Sequence, residues 1–89
     1  MSKNRVYLVI QHQSDSPEYD KNVVYTCATR EVAEYAASQL NKEYHENVIL
    51  DEDNQFVEVI NYDYDYHYYE VESYAIENSI EELKRDYNL

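Results

Sequence analysis

The sequence predicts an α+β fold: a single antiparallel sheet of four to five strands, with a main helix and a short C-terminal helix packed on it. The element order is ββαβββα or ββαββα. Three observations carry this expectation. RVYLVIQH (5–12) alternates at strand period, TREVAEYAASQL (29–40) runs at helical period, and Ser79 with Glu82 forms a helix-capping box. Eighty-nine residues set a single domain, 1–89.

In the first strand Val6, Leu8 and Ile10 share one face, and Tyr7 and Val9 share the other. Both faces are therefore expected to be covered. The polar stretch QSDSPEYDKN (13–22) holds the only proline and reads as a long loop. VVYTCA (23–28) is the second strand. Thr29 then reads as an N-cap, with Glu31 favourable in the first turn. Val32, Ala36 and Leu40 form the expected buried stripe of the helix, flanked by Ala33, Ala37 and Tyr44. VILDEDNQFVEVI (48–60) reads as a hairpin turning at Asp51–Asn54. Tyr66–Ile76 is a further long strand. In the closing helix Ile80, Leu83 and Tyr87 share a face.

Nineteen Asp/Glu oppose seven Lys/Arg, for a formal net charge of -12. Residues 1–45 hold five bases and six acids, and residues 46–89 hold two bases and thirteen acids. Self-repulsion on this scale opposes compaction. An acidic surface with a use is the reading that accounts for it.

The chain has no glycine. Phosphate-cradling loops, dinucleotide fingerprints and the nucleophile elbow all need glycine where backbone approaches ligand, so these classes are excluded. Turns needing positive φ fall to the eight asparagines, which tolerate that region better than most residues. Cys27, the only cysteine, lies in an apolar strand and reads as a buried, inert thiol. His12, His45 and His67 have no metal-ligand spacing, and DEDNQFVEV lacks the central glycine of a calcium loop, so no metal or cofactor is expected. No stretch reaches membrane-spanning length, and the N-terminal apolar run, Val6–Ile10, is too short for a signal peptide. The cytoplasm is the expected setting, and the chain is expected not to be an enzyme.

NYDYDYHYYE (61–70) is the segment that most asks for a function. Laid out as a strand, it points Tyr62, Tyr64, Tyr66 and Tyr68 one way and Asp63, Asp65, His67 and Tyr69 the other. Carboxylates two residues apart then stand roughly 6.7 Å apart. Phosphates rise about 3.4 Å each along a DNA strand, with a longer path along the backbone, so the two spacings are of one order. Asp63, Asp65, Glu70 and Glu72 make the first row of such a pattern, and the turn acids Asp51, Glu52 and Asp53 the second. The loop acids Asp15, Glu18 and Asp20 extend it, and Tyr64 and Tyr66 add contact area. The competing reading is ordinary strand behaviour, since alternating aromatics pair across strands and edge aspartates deter aggregation. Thirteen acids uninterrupted by a base between Lys42 and Lys84 exceed what that purpose needs. Tyr25, Tyr44 and Tyr69 are expected in the core, because phenylalanine is nearly absent.

A short, glycine-free, acidic, tyrosine-rich chain of this kind resembles the small host-takeover proteins of bacteriophages that mimic DNA. In particular it resembles phage inhibitors of the nucleoid protein HU. The resemblance implies an inhibitor whose acidic surface occupies the DNA-binding site of a basic host protein, with no direct nucleic-acid binding. RVYLVIQH…VVYTCATREVAEYAASQL…YYEVESYAI is also similar to small phage and bacterial domains of strand–strand–helix–strand type. The alternative is a non-enzymatic interaction or regulatory adaptor, including an anti-restriction or anti-CRISPR inhibitor, that does not act by mimicry. The sequence leaves open whether the chain acts alone or as a homodimer.

Overall fold

The computed structural model describes residues 4–14, 21–77 and 79–87. The order is β1 (Arg5–Gln13), β2 (Lys21–Cys27), α1 (Arg30–Glu43), β3 (Val48–Leu50), β4 (Phe56–Val59), β5 (His67–Ala75) and α2 (Ile80–Tyr87). The class is α+β, as the two periodicities predict. The single sheet of four to five strands is not what forms. Three strands pair in the order β2-β1-β5, and β3 and β4 make a separate two-stranded ribbon. The Asn41 side chain takes both outward backbone groups of Tyr69 on the β5 edge, and the ribbon closes on itself through Val48↔Val59.

Strand β1 is the centre of the sheet. It pairs antiparallel with β2 from Tyr7↔Cys27 to His12↔Lys21, and with β5 from Arg5↔Ala75 to Gln13↔His67. Its alternation then does what the sequence dictates: Val9 goes to the helix side and Ile10 to the opposite side, and both are buried. A bulge at Val24 interrupts β2, because Val9 pairs Tyr25 while Ile10 pairs Val23.

Helix α1 begins where expected. The Thr29 hydroxyl accepts from the Val32 amide at 3.3 Å, satisfying a first-turn donor. Its buried line is Ala33, Ala37 and Asn41, one position on from the expected stripe. Alanine lets the helix axis approach the sheet closely. Ala36 and Leu40 flank the contact, and Val32 is 55% exposed. The main core is Val9, Cys27, Ala33, Ala37 and Tyr69, with Tyr7, Leu40 and Val71 packed on it. Tyr69 is buried as the sequence predicts. Tyr25 and Tyr44 are not, at 53% and 55% exposed, because they stand at the rim of the layer.

Helix α2 takes its cap from Ser79, whose hydroxyl accepts from the Glu82 amide at 3.1 Å. The expectation that α2 packs on the sheet is not met. Among the described residues it makes no extended contact with any strand or with α1. No helix among them is long and apolar enough to cross a membrane. Asn47 (φ 54°) and Asn54 (φ 60°) take the positive-φ turns that glycine usually fills.

Candidate partner-binding surface

The segment that asked for a function is not a continuous strand. Asn61 closes a turn: its side-chain oxygen accepts from the Asp63 amide at 2.9 Å and its carbonyl from the Tyr64 amide at 3.2 Å. Asparagine's short side chain competes for backbone donors in this way and ends extended structure. The strand starts only at His67. Asp63 and Asp65 therefore stand on the connection leading into β5, and the expected ladder joining them to Glu70 and Glu72 along one strand is broken.

The two ends of that ladder are nevertheless neighbours along the chain. The Ser14 hydroxyl accepts from the Tyr66 amide at 2.8 Å and donates to Asp65 Oδ1 at 3.5 Å. Asn47 donates to the Asp65 carbonyl, tying the connection to the start of the ribbon. Tyr62 and Tyr64 project from it, 74% and 65% exposed.

Alternation along β5 then divides its side chains. Tyr69 and Val71 join the core under α1. Tyr68, Glu70, Glu72 and Tyr74 lie on the opposite face, together with Val6, Leu8, Ile10 and His12 of β1. This face is open in that α1 lies on the other one; Ile10 on it is buried, Tyr68, Glu70 and Glu72 are half-buried, and its rings form a stack. Tyr68 lies between His12 (centroids 4.6 Å) and Phe56 (3.6 Å), with Tyr66 at 6.0 Å, and Tyr62 meets Tyr66 edge-on at 5.7 Å. Glu70 Oε1 is 3.0 Å from His12 Nε2, a charge contact when the imidazole is protonated. The Tyr74 hydroxyl donates to Glu72 at 2.9 Å. Neither β1 nor β5 contributes Lys or Arg to this face. Their one such residue, Arg5, reaches Ser73 on the helix side, where Arg30 also sits over the Tyr7 ring at 5.3 Å.

The other expected acids are placed differently. Asp51 is a turn-builder, its Oδ1 accepting the amides of Asp53 and Gln55 at 2.8 and 2.9 Å. Glu52 and Asp53 line a shallow depression against α1 with Glu34, Tyr35 and Ser38, and Gln55 donates to the Glu34 carbonyl at 2.9 Å. The turn acids thus form a separate group beside the helix, not a second row beside Glu70. Asp15, Glu18 and Asp20 lie outside the described residues.

One residue that organises the site went unmarked in the sequence. Asn41 is fully buried, and its amide acts as a surrogate strand for the outer edge of β5. Its Oδ1 accepts the Tyr69 amide at 2.7 Å, and its Nδ2 donates to the Tyr69 and Asn54 carbonyls, each at 2.9 Å. A polar residue four on from Ala37 and eight on from Ala33, on the small-residue line of the helix, was the available signal.

Burial, and after it the charge of Glu70, pushes the Tyr68 hydroxyl up from 10.0 to about 12, and burial pushes Tyr69 in the same direction. In the unfolded chain such a phenol ionises near pH 10. The stabilisation from keeping Tyr68 neutral is therefore complete below pH 10 and is lost as the pH rises through about 12. Urea midpoints measured across that window are expected to fall. Tyr68→Phe should flatten part of the fall, leaving the share carried by Tyr69.

Among the described residues no three His, Cys, Asp or Glu side chains are grouped to hold a metal ion. Comparison with protein-family models, with curated proteins and with solved structures gave no match.

Proposed function

We propose that this protein is an inhibitor that presents its acidic surface to the DNA-binding site of a basic nucleic-acid-binding protein and keeps DNA out. The carrying observation is the open face of the sheet. It offers Glu70 and Glu72 two residues apart, with Asp63 and Asp65 at its His67 end; β1 and β5 bring no Lys or Arg to it, and at the far edge Lys21 of β2 pairs with His12. Carboxylates spaced like this engage cations meant for phosphates. Opposite fields steer the two proteins together. The exposed Tyr62 and Tyr64 supply rigid area beside the charges, suited to arginine planes as well as to packing. The nucleoid protein HU is the first target to test, on the resemblance drawn from the sequence.

The geometry narrows the reading to one face. Glu52 and Asp53 lie beside α1, so the proposed surface is a single acidic and aromatic strip, not a copy of both strands of a duplex.

The test is competition. The protein is immobilised, partners are captured from host lysate, and duplex DNA is added at rising salt. Release of a captured basic protein by DNA, with affinity falling steeply as salt rises, is the expected result. Capture indifferent to DNA would instead favour the adaptor reading.

A further inference from the structure

The two edges of the three-stranded sheet, β2 and β5, differ. On β2 the bulge at Val24 breaks the run of outward backbone groups, a device that blunts an edge against pairing. Strand β5 has nine residues with no bulge in its pairing to β1. Which of its backbone groups point outward follows from the bonds it makes. His67 exchanges both bonds with Glu46, at 3.0 Å each, and Tyr69 gives both its groups to Asn41, so odd-numbered residues face away from β1. The Ile76 amide bonds back to Asn4 at 2.9 Å, as an even-numbered residue should. By the same alternation Val71, Ser73 and Ala75 turn their N–H and C=O groups outward, beyond the point where Asn41 and the ribbon stop covering the edge.

We propose that Val71–Ala75 is a docking edge that accepts an extended basic segment of the target protein as a fourth strand. This deepens the acidic-surface reading and rests on it. Charge selects the occupant. A strand added here brings alternate side chains onto the open face beside Glu70 and Glu72, where lysine or arginine meets carboxylate across the pair. A second copy of this chain added antiparallel at the same edge would set its own Glu70 and Glu72 near these two, and like charges across strands repel. Main-chain bonds give such a complex a register that charge alone does not.

The experiment uses the full chain and a synthetic heptapeptide alternating lysine with threonine. Its control is the same peptide N-methylated at alternate amides, which keeps every charge and cannot form the ladder. In the free protein the amides of Val71 and Ser73 should exchange with solvent faster than those of Glu70 and Glu72. The unmodified peptide should slow Val71 and Ser73 at least tenfold, and N-methylation should weaken binding at least tenfold. Ser73→Pro, which removes an outward donor and bars the approach, should mimic that loss. Equal affinity for the two peptides, or unchanged exchange at Val71 and Ser73, overturns the docking edge. Equal, salt-sensitive binding would do so while leaving the acidic-surface reading in place, since that reading needs charge and no ladder.

Discussion

Asn41→Ala is expected to lower the unfolding free energy by about 3 kcal/mol or more. The substitution removes three hydrogen bonds at once from a side chain with no exposed surface. The larger cost lies in what is left. The amide and carbonyl of Tyr69 and the carbonyl of Asn54 lose their partner, and each buried polar group so orphaned costs about 1–3 kcal/mol. Water admitted to the site would recover part of this. Urea denaturation followed by circular dichroism reads the change directly. Asn41→Asp is the informative companion. It keeps the acceptor for the Tyr69 amide, loses both donated bonds and places a carboxylate in the core, so it should be no more stable than the alanine variant. A loss below about 1 kcal/mol for Asn41→Ala would mean that the edge of β5 is held by other contacts.

The second large effect is on binding. Converting Asp63 and Asp65 together to lysine changes the local charge by four units at the end of the open face. Neither carboxylate anchors a buried group: both residues are exposed, and among the described residues Asp65 accepts from Ser14 alone, at 3.5 Å. Folding should therefore be retained, or slightly improved as repulsion within a chain of net charge -12 is relieved. Affinity for the captured basic partner should fall at least a hundredfold, mostly through slower association, and the salt dependence should flatten. Titration calorimetry at two salt concentrations, with circular dichroism on the same samples, separates the two effects. Unchanged affinity would show these aspartates to be solvated surface. Glu72→Lys should add to the loss without disturbing the His12–Glu70 contact.

What the sequence made legible was whatever depends on period and local chemistry. The alternation in β1 and the alanine-rich turns of α1 predict their elements, and Thr29 and Ser79 cap the helices they were expected to cap. Asparagine in place of glycine holds at Asn47 and Asn54. The failures have one source in common: they depend on what lies across space. Asn61 folds NYDY into a turn because its side-chain oxygen and its backbone carbonyl each accept from a local amide, although aromatic alternation argued for a strand. The buried line of α1 passes through Ala33 and Ala37, not Val32 and Ala36, since closeness to the sheet outweighs side-chain bulk. The short β3 and β4 carry strand-like residues but pair only with each other, while a side chain of α1, Asn41, takes the β5 edge at Tyr69. Of the candidate site, the acids themselves were legible, and their division between the open face and the side of α1 was not.

The placement of β1 between β2 and β5 has a consequence for how the chain is made. Its first neighbour is close behind it, and its second begins more than fifty residues later, at His67. During synthesis the ribosome therefore releases a hairpin and a helix whose central strand lacks one side until residue 75 has emerged. The acid-rich half is the part that completes it, so the nascent protein stays unfinished until its charge has arrived.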